Sequence, residues 1–132
     1  MAMEVQLVSP EQVLYKGDAD MVITRTVGGG DLAFLPNHAP FLGALAIWPV
    51  RILLPDGELR AAVHGGFVEV SNNSVTVLTD VAELREQIDV ARATDALERA
   101  QRALADNPED EEAAAALARA QVRLDVAQGP SA

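Results

Sequence analysis

The stretch FVEVSNNSVTVL, residues 67–78, alternates apolar and polar side chains on both sides of an asparagine pair. Because successive side chains of a strand point to opposite faces, a period of two predicts two strands, each with one buried face. Asn72-Asn73 suits a tight turn between the two strands. The alternating apolar positions are Val68, Val70, Val75 and Val77.

Short segments of the same character run back toward the start of the chain. They are EVQLV (4–8), QVLYK (12–16), MVITRTV (21–27), LAFL (32–35), VRILL (50–54) and LRAAV (59–63). Turn residues separate them, such as Gly28-Gly29-Gly30 and Gly65-Gly66. LLPDGELR at 53–60 predicts a hairpin, because Pro55 fixes φ and Asp56-Gly57 tolerates turn geometry. Several short strands at this spacing predict an antiparallel β-sandwich or barrel.

From about residue 87 the chain becomes rich in alanine and contains no aromatic side chain. Apolar residues recur every three or four positions on both sides of DNPEDEE (106–112), which predicts two amphipathic helices. Asn107 is the predicted cap of the second helix and Pro108 its first residue. The short break predicts an antiparallel helical hairpin. The predicted apolar stripes are Val90, Ala93, Leu97, Ala100 and Leu104, then Ala113, Leu117, Ala120, Leu124 and Ala127.

The chain is therefore predicted to be an α+β protein, with a β-sandwich domain at 1–86 and a helical hairpin at 87–132. The hairpin's stripes are mostly alanine, so its docking is expected to gain only a few kcal/mol at ~25 cal/mol per Å² of buried apolar area. Isolated helices of this length are marginal in water. We therefore expect a weakly held hairpin that can move.

Composition excludes several classes of function. The formal net charge is −10, from 20 acidic and 10 basic residues, and both regions are acidic, so nucleic acid is not an expected partner. No cysteine is present, which excludes thiol catalysis, disulfides and thiolate metal sites. No secretory signal is visible, and no run approaches the roughly 18 apolar residues of a membrane helix. We expect a soluble, cytosolic chain.

DLAFLPNHAPF, residues 31–41, holds one of the two histidines between two prolines. Asp31 is a nearby acid for His38, but no serine stands in a nucleophile motif, and His64 supplies no third metal ligand. An exposed docking loop is the favoured interpretation. A hydrolase built on His38 and Asp31 remains as an alternative. Gly28-Gly29-Gly30 lacks a following Gly-Lys-Ser/Thr and is interpreted as a turn rather than a phosphate cradle.

Arginines recur at helical spacing in the second region. Arg85, Arg92 and Arg99 are seven residues apart, which places them near one face of the first helix, and Arg119 and Arg123 are one turn apart on the second. Guanidinium groups that converge in a closed hairpin suit phosphate. Spacing alone favours a simpler interpretation, in which Asp95–Arg99 and Glu98–Arg102 pair on a solvated face.

Five stretches together resemble the epsilon subunit of the F-type ATP synthase, in the same order and over nearly the whole chain. They are VSPEQVLYKGDADMV (8–22), GDLAFLPNHAPFL (30–42), HGGFVEVSNNSVTVLTDVAE (64–83), IDVARA (88–93) and ALERAQRAL (96–104).

The resemblance implies a noncatalytic rotor subunit that needs no cofactor. Its β-sandwich is expected to sit on the gamma subunit and the c-ring, at the cytoplasmic face of a bacterial plasma membrane. Its hairpin is expected to fold beside the sandwich or extend toward the catalytic alpha and beta subunits, where extension blocks ATP hydrolysis. The resemblance also implies ATP as a regulatory ligand that holds the hairpin folded.

The resemblance assigns residues to two sites. The loop with Asp31 and His38 matches the segment that faces the c-ring. Asn37 stands in this loop where the family usually has glycine. Pro49 stands near another position where glycine is usual, directly after the apolar run FLGALAIW (41–48). The turn near Pro49 is therefore expected to differ from the family's turn. IDVARA matches a motif associated with nucleotide binding. The implied nucleotide-binding residues are Ile88, Asp89, Arg92, Ala93, Arg99, Arg119 and Arg123. A stand-alone sandwich that binds a ligand or peptide remains as the other alternative.

Overall fold

The computed structural model describes residues 2–128 and places ten strands before two α-helices. The strands are β1 Met3–Val8, β2 Val13–Ala19, β3 Met21–Arg25, β4 Asp31–Phe34, β5 Phe41–Ala44, β6 Ile47–Leu54, β7 Gly57–His64, β8 Phe67–Ser71, β9 Ser74–Leu78 and β10 Ala82–Leu84. A 3₁₀ turn at Arg85–Gln87 leads to α1 Val90–Asp106 and α2 Glu111–Gln128. Residues 129–132 of the predicted hairpin lie outside the described residues.

The strands form two five-stranded sheets, which confirms the predicted sandwich. One sheet has the order β2-β1-β9-β8-β5 and the other β10-β7-β6-β3-β4. Their facing sides bury one apolar core, whose largest members include Met3, Leu7, Phe34 and Ile52. All pairs are antiparallel except β1 and β9, which run parallel because the seven strands between them supply the crossover. Strands β5 and β10, of four and three residues, are too short to show an alternation in the sequence.

The two predicted turns beside long strands form as expected. Leu54 pairs with Gly57, so Pro55-Asp56 is the turn of the β6–β7 hairpin. Asn72 and Asn73 both have positive φ, 52° and 59°, which suits the twist of the β8–β9 hairpin. Near Pro49, where the resemblance led us to expect an altered turn, the chain forms a strand. Pro49 lies inside β6 and pairs with Ala62 of β7. Strand β3 pairs only with residues 51–53 of β6, so the missing N–H of Pro49 removes no hydrogen bond to β3.

The predicted cap of the second helix was wrong by three residues. The Asp110 side chain accepts a hydrogen bond from the Ala113 N–H at 3.0 Å, so Asp110 caps α2. Asn107 instead ends α1, and its side chain accepts from the Glu109 N–H within the connecting turn that holds Pro108. Both residues suit caps and turns, and sequence alone does not decide which of them starts the helix.

The hairpin lies on the second sheet with α2 between α1 and strands β6 and β7. Of the predicted stripes, Val90 is exposed, and Ala127 packs against the apolar cluster between α2 and the sandwich. The stripe members that are fully buried are Ala93, Ala100, Ala113 and Ala120. The face that docks on the sandwich was missed. It consists of Val122 and Val126, 3% and 1% exposed, which pack with Ile88 and Ala62. Helix α2 therefore has two apolar faces, whereas the sequence analysis assigned it one.

Candidate functional site

An open cleft of about 390 Å³ lies where the end of the sandwich meets both helices. Small side chains, Ala93 and Ala96 on α1 and Ala116 on α2, leave the space between the helices open. Six of the seven residues assigned to nucleotide binding line this cleft, namely Asp89, Arg92, Ala93, Arg99, Arg119 and Arg123. The structure thus brings together four arginines from two helices.

Ile88, the seventh assigned residue, does not line the cleft. It is 9% exposed and packs with Ala62, Val122 and Val126 in the apolar cluster between the sandwich and α2. Its position places the next residue, Asp89, at the start of α1, where the Asp89 carboxylate accepts from the Arg92 N–H at 3.0 Å. Ile88 therefore anchors the start of the helix on which Arg92 and Arg99 lie.

The arginines of the cleft differ in their partners. Arg119 pairs with Glu112 at 2.9 Å and Arg123 with Glu83 at 2.6 Å. Over residues 2–128, no carboxylate lies within ion-pair distance of the Arg92 or Arg99 guanidinium. Two unpaired guanidinium groups beside two paired ones make the cleft an attractive place for a multivalent anion.

The simpler interpretation of the arginines is half right. Glu98 and Arg102 pair at 3.6 Å on the solvated side of α1, as predicted. The predicted Asp95–Arg99 pair is wrong, since Arg99 lines the cleft without a carboxylate partner. Arg102 and Arg99 are therefore neighbours on one helix with different surroundings.

Glu83 is a cleft residue that the sequence analysis missed. It lies in β10, and one carboxylate oxygen accepts from Arg123 Nε at 2.6 Å and from His64 Nε2 at 3.1 Å. Arg123 is 40 residues away along the chain, and no local pattern signals the contact. Glu83 thereby joins the sandwich to α2 at the floor of the cleft.

His64 stands behind Glu83 and is nearly enclosed, with 5% of its side chain exposed. Burial lowers the pKa of His64, the Glu83 carboxylate opposes that change, and the positive charges of Arg123 and Arg119 add to it. His64 Nδ1 is buried without a hydrogen-bond partner. These surroundings favour the neutral imidazole, which donates from Nε2 to Glu83.

Asp31 is the first residue of β4, and His38 lies in the loop after that strand. No hydrogen bond joins the two side chains in the described chain. Asp31 pairs with Arg25 at 2.9 Å, and the Arg25 guanidinium stacks 3.6 Å over the Trp48 ring. His38 is exposed, and its ring lies edge-on to Phe34 with Nδ1 2.7 Å from the Ala39 carbonyl. The geometry therefore offers no acid–histidine pair for the hydrolase alternative.

The loop that carries His38 depends on a left-handed residue. Asn37 has φ of 65°, and its N–H donates to the Asn73 side chain at 2.8 Å. We expect Asn37→Ala to lower the free energy of unfolding by about 1–2 kcal/mol, because alanine resists this backbone region. Asn37→Gly is the matched control and should cost less. Urea unfolding measures both, and equal stabilities of the two variants would contradict the assignment.

No helix within residues 2–128 combines the length and apolar character that a bilayer crossing requires. No group of three or more histidine, aspartate or glutamate side chains in the same range is arranged to hold a metal ion.

Two family models match the chain, one to its strands and one to its helices. The model described as ATP synthase, Delta/Epsilon chain, beta-sandwich domain matches residues 2–85. The model described as ATP synthase, Delta/Epsilon chain, long alpha-helix domain matches residues 86–128. The strands and the helices thus match the two domain models of the ATP synthase Delta/Epsilon chain.

Curated relatives named ATP synthase epsilon chain are similar along most of the chain. That of Thermobifida fusca is 44% identical over 132 residues, which cover 97% of this chain and 93% of the relative. That of Shouchella clausii is 41% identical over 126 residues, 95% of this chain and 94% of the relative. That of Brevibacillus brevis is 47% identical over 103 residues, 77% of each chain.

Two solved structures share the fold at lower identity. A chain of the Euglena gracilis mitochondrial ATP synthase, in an OSCP/F1/c-ring assembly, superposes with a TM-score of 0.71 at 22% identity, over 96% of this chain and 78% of that one. A chain of the Tetrahymena thermophila mitochondrial ATP synthase central stalk and c-ring gives 0.55 at 20% identity, over 66% and 69%. At these identities the likeness concerns the fold.

Proposed function

Because this chain belongs to the ATP synthase delta/epsilon family, as an epsilon subunit, we propose that it works in the central stalk of an F-type ATP synthase. In this role it couples the gamma subunit to the c-ring during proton-driven ATP synthesis and carries no active site of its own. The observation that carries the proposal is the family match through both the sandwich and the hairpin.

The outer face of the first sheet supports docking of the sandwich on another subunit. An apolar row crosses this sheet at one end, because Val8 pairs with Val13 and Leu78, and Leu78 pairs with Phe67. Val13, Leu78 and Phe67 are all more than half exposed. A contiguous apolar patch of this kind is typical of a protein interface. We assign it to the gamma subunit, and the exposed loop with Asp31 and His38 to the c-ring.

Co-purification with the gamma subunit tests this assignment. Phe67→Asp is expected to weaken retention by gamma at least tenfold, since a buried aromatic side chain at an interface often contributes about 2 kcal/mol or more. Ser71→Asp adds the same charge to an exposed position of the same strand and should bind normally. A stand-alone binding module would not co-purify even as the unaltered chain, and that result would refute the proposed role.

The arginine cleft supports a regulatory role for the hairpin, with ATP as the proposed ligand. Its volume lies in the range of small-molecule sites, and four guanidinium groups suit the charge of a triphosphate. Arg92 and Arg99 come from α1, whereas Arg119 and Arg123 come from α2. A ligand that contacts both helices stabilises the closed hairpin, because it loses those contacts when the helices separate.

The proposed regulation follows from this coupling. With ATP abundant, the closed hairpin stays beside the sandwich. With ATP scarce, the hairpin extends toward the alpha and beta subunits and blocks hydrolysis. The weakness of the docking face, two valines of α2 against the sheet, supports such movement, since its apolar burial is worth only a few kcal/mol. The subunit is proposed to be peripheral, at the cytoplasmic face of a bacterial plasma membrane.

A further inference from the structure

A charged cluster joins the sandwich to the hairpin behind the arginine cleft. Glu83 of β10 accepts from Arg123 of α2 and from His64 of β7 with the same carboxylate oxygen. Between the sandwich and the two helices of the described chain, Arg123–Glu83 is the single ion pair. The cluster is therefore the polar part of the interface that must break when the hairpin leaves.

His64 is the member of this cluster that has a buried nitrogen without a hydrogen-bond partner. Its Nε2 has the Glu83 partner, but its Nδ1 is buried with none. The charged groups that act on it are Glu83 from β10 and Arg123 and Arg119 from α2. A proton on Nδ1 would create a buried N–H without an acceptor, which is unfavourable. The added positive charge would lie near two arginines, and the one nearby carboxylate, Glu83, already accepts a hydrogen bond from Arg123.

We propose that the His64–Glu83–Arg123 cluster is a pH-sensitive latch, in which protonation of His64 favours release of the hairpin from the sandwich. The latch rests on the proposed movement of the hairpin and adds a second input to it, the acidity of the surroundings. Neutral His64 keeps Glu83 aimed at Arg123 and holds α2 closed. Charged His64 carries a buried Nδ1–H without an acceptor, and its positive charge repels Arg123.

The direction of the pH effect follows from proton linkage. When α2 leaves, His64 loses the repulsion of Arg123 and Arg119, so its pKa rises toward the ordinary histidine value of about 6.5. In the closed chain, burial and the two arginines lower that pKa. Closing therefore expels protons, so the closed state is fully favoured above about pH 6.5 and weakens as pH falls toward the pKa of the closed chain.

Paired labels on the full chain test the latch directly. The protein has no cysteine, so Asp56→Cys on the sandwich and Gln101→Cys on α1, both exposed, accept two spin labels for a distance measurement. Between about pH 7.5 and pH 5.5 we expect the ratio of open to closed chains to rise. The rise over this range is about fivefold if closing lowers the pKa of His64 by one unit.

The two histidines provide a matched pair of variants. His64→Gln keeps an N–H for Glu83 but does not titrate, so its open fraction should be independent of pH over this range. His38→Gln removes the exposed histidine and should respond as the unaltered chain does. A pH response that survives in His64→Gln, or is absent from the unaltered chain, would overturn the latch.

Two additional measurements separate a failure of the latch from a failure of the proposed hairpin movement. An NMR titration of His64 in the unaltered chain should give a pKa below 6.5, and a higher value would overturn the proposal without any variant. The same spin labels in Val126→Asp report whether the hairpin can open at all. If that variant opens and acid has no effect, the latch fails and the proposed movement stands. If neither opens the hairpin, both fail.

Discussion

Glutamine in place of both Arg92 and Arg99 is expected to weaken ATP binding at least a hundredfold. Each guanidinium lines the cleft without a carboxylate partner, so neither must break an ion pair to meet a phosphate. Hydrogen bonds to charged groups contribute about 1.5–3 kcal/mol each, and about 1.4 kcal/mol corresponds to a tenfold change in affinity. Calorimetric titration of the isolated chain with ATP measures the loss.

Arg102→Gln is the matched control for this experiment. Arg102 lies on the same helix and loses the same charge, but it pairs with Glu98 on the solvated side and does not line the cleft. Its affinity for ATP should stay within about threefold of the unaltered chain, since an exposed ion pair contributes little. Equal losses in both variants would show a nonspecific effect of charge. An unaltered chain that gives no heat at millimolar ATP would remove the sensing role altogether.

The second large effect is expected from Val126→Asp, which should detach the hairpin. Val126 is 1% exposed between α2 and the sheet. The substitution loses about 1.5–3 kcal/mol of apolar burial, and it places a carboxylate among the apolar side chains of Ala62, Ile88 and Val122. Together these costs exceed the few kcal/mol that the docking face supplies. The hairpin therefore leaves, while the separate core of the sandwich remains intact.

Amide hydrogen exchange measures this outcome segment by segment. Protection should fall at least tenfold in α1 and α2 and should be retained in strands such as β6 and β9. Gln121→Asp, an exposed position of α2, adds the same charge and should leave protection unchanged. If helices and strands lose protection together in Val126→Asp, the hairpin is part of the cooperative core and does not move independently. The proposed regulation would then be wrong.

The strands and helices could be predicted because their signals are local. Alternation at 67–78 and the glycine, proline and asparagine turns describe single strands and their connections, and the alanine-rich stripes describe how α1 and α2 face each other. The family resemblance added the order of the two domains. Short strands such as β5 and the start of α2 were missed or misplaced, because a few residues carry too little pattern to outweigh their neighbours.

The candidate site, too, could be predicted only in part. Helical spacing places Arg92 with Arg99, and Arg119 with Arg123, so each pair could be foreseen from the chain alone. Whether they pair with acids could not, since Asp95 stands at a favourable spacing and yet leaves Arg99 free.

Only the folded chain reveals the second apolar face of α2, at Val122 and Val126, and the meeting of Glu83, His64 and Arg123. A helix can present side chains in every direction, and the packing of the whole molecule selects which faces are buried. Glu83 and Arg123 are 40 residues apart and belong to different layers, so their contact depends on how the hairpin lies on the sheet. Local periodicity carries no information about that placement, because it arises from the shape and burial of surfaces that are distant in the chain.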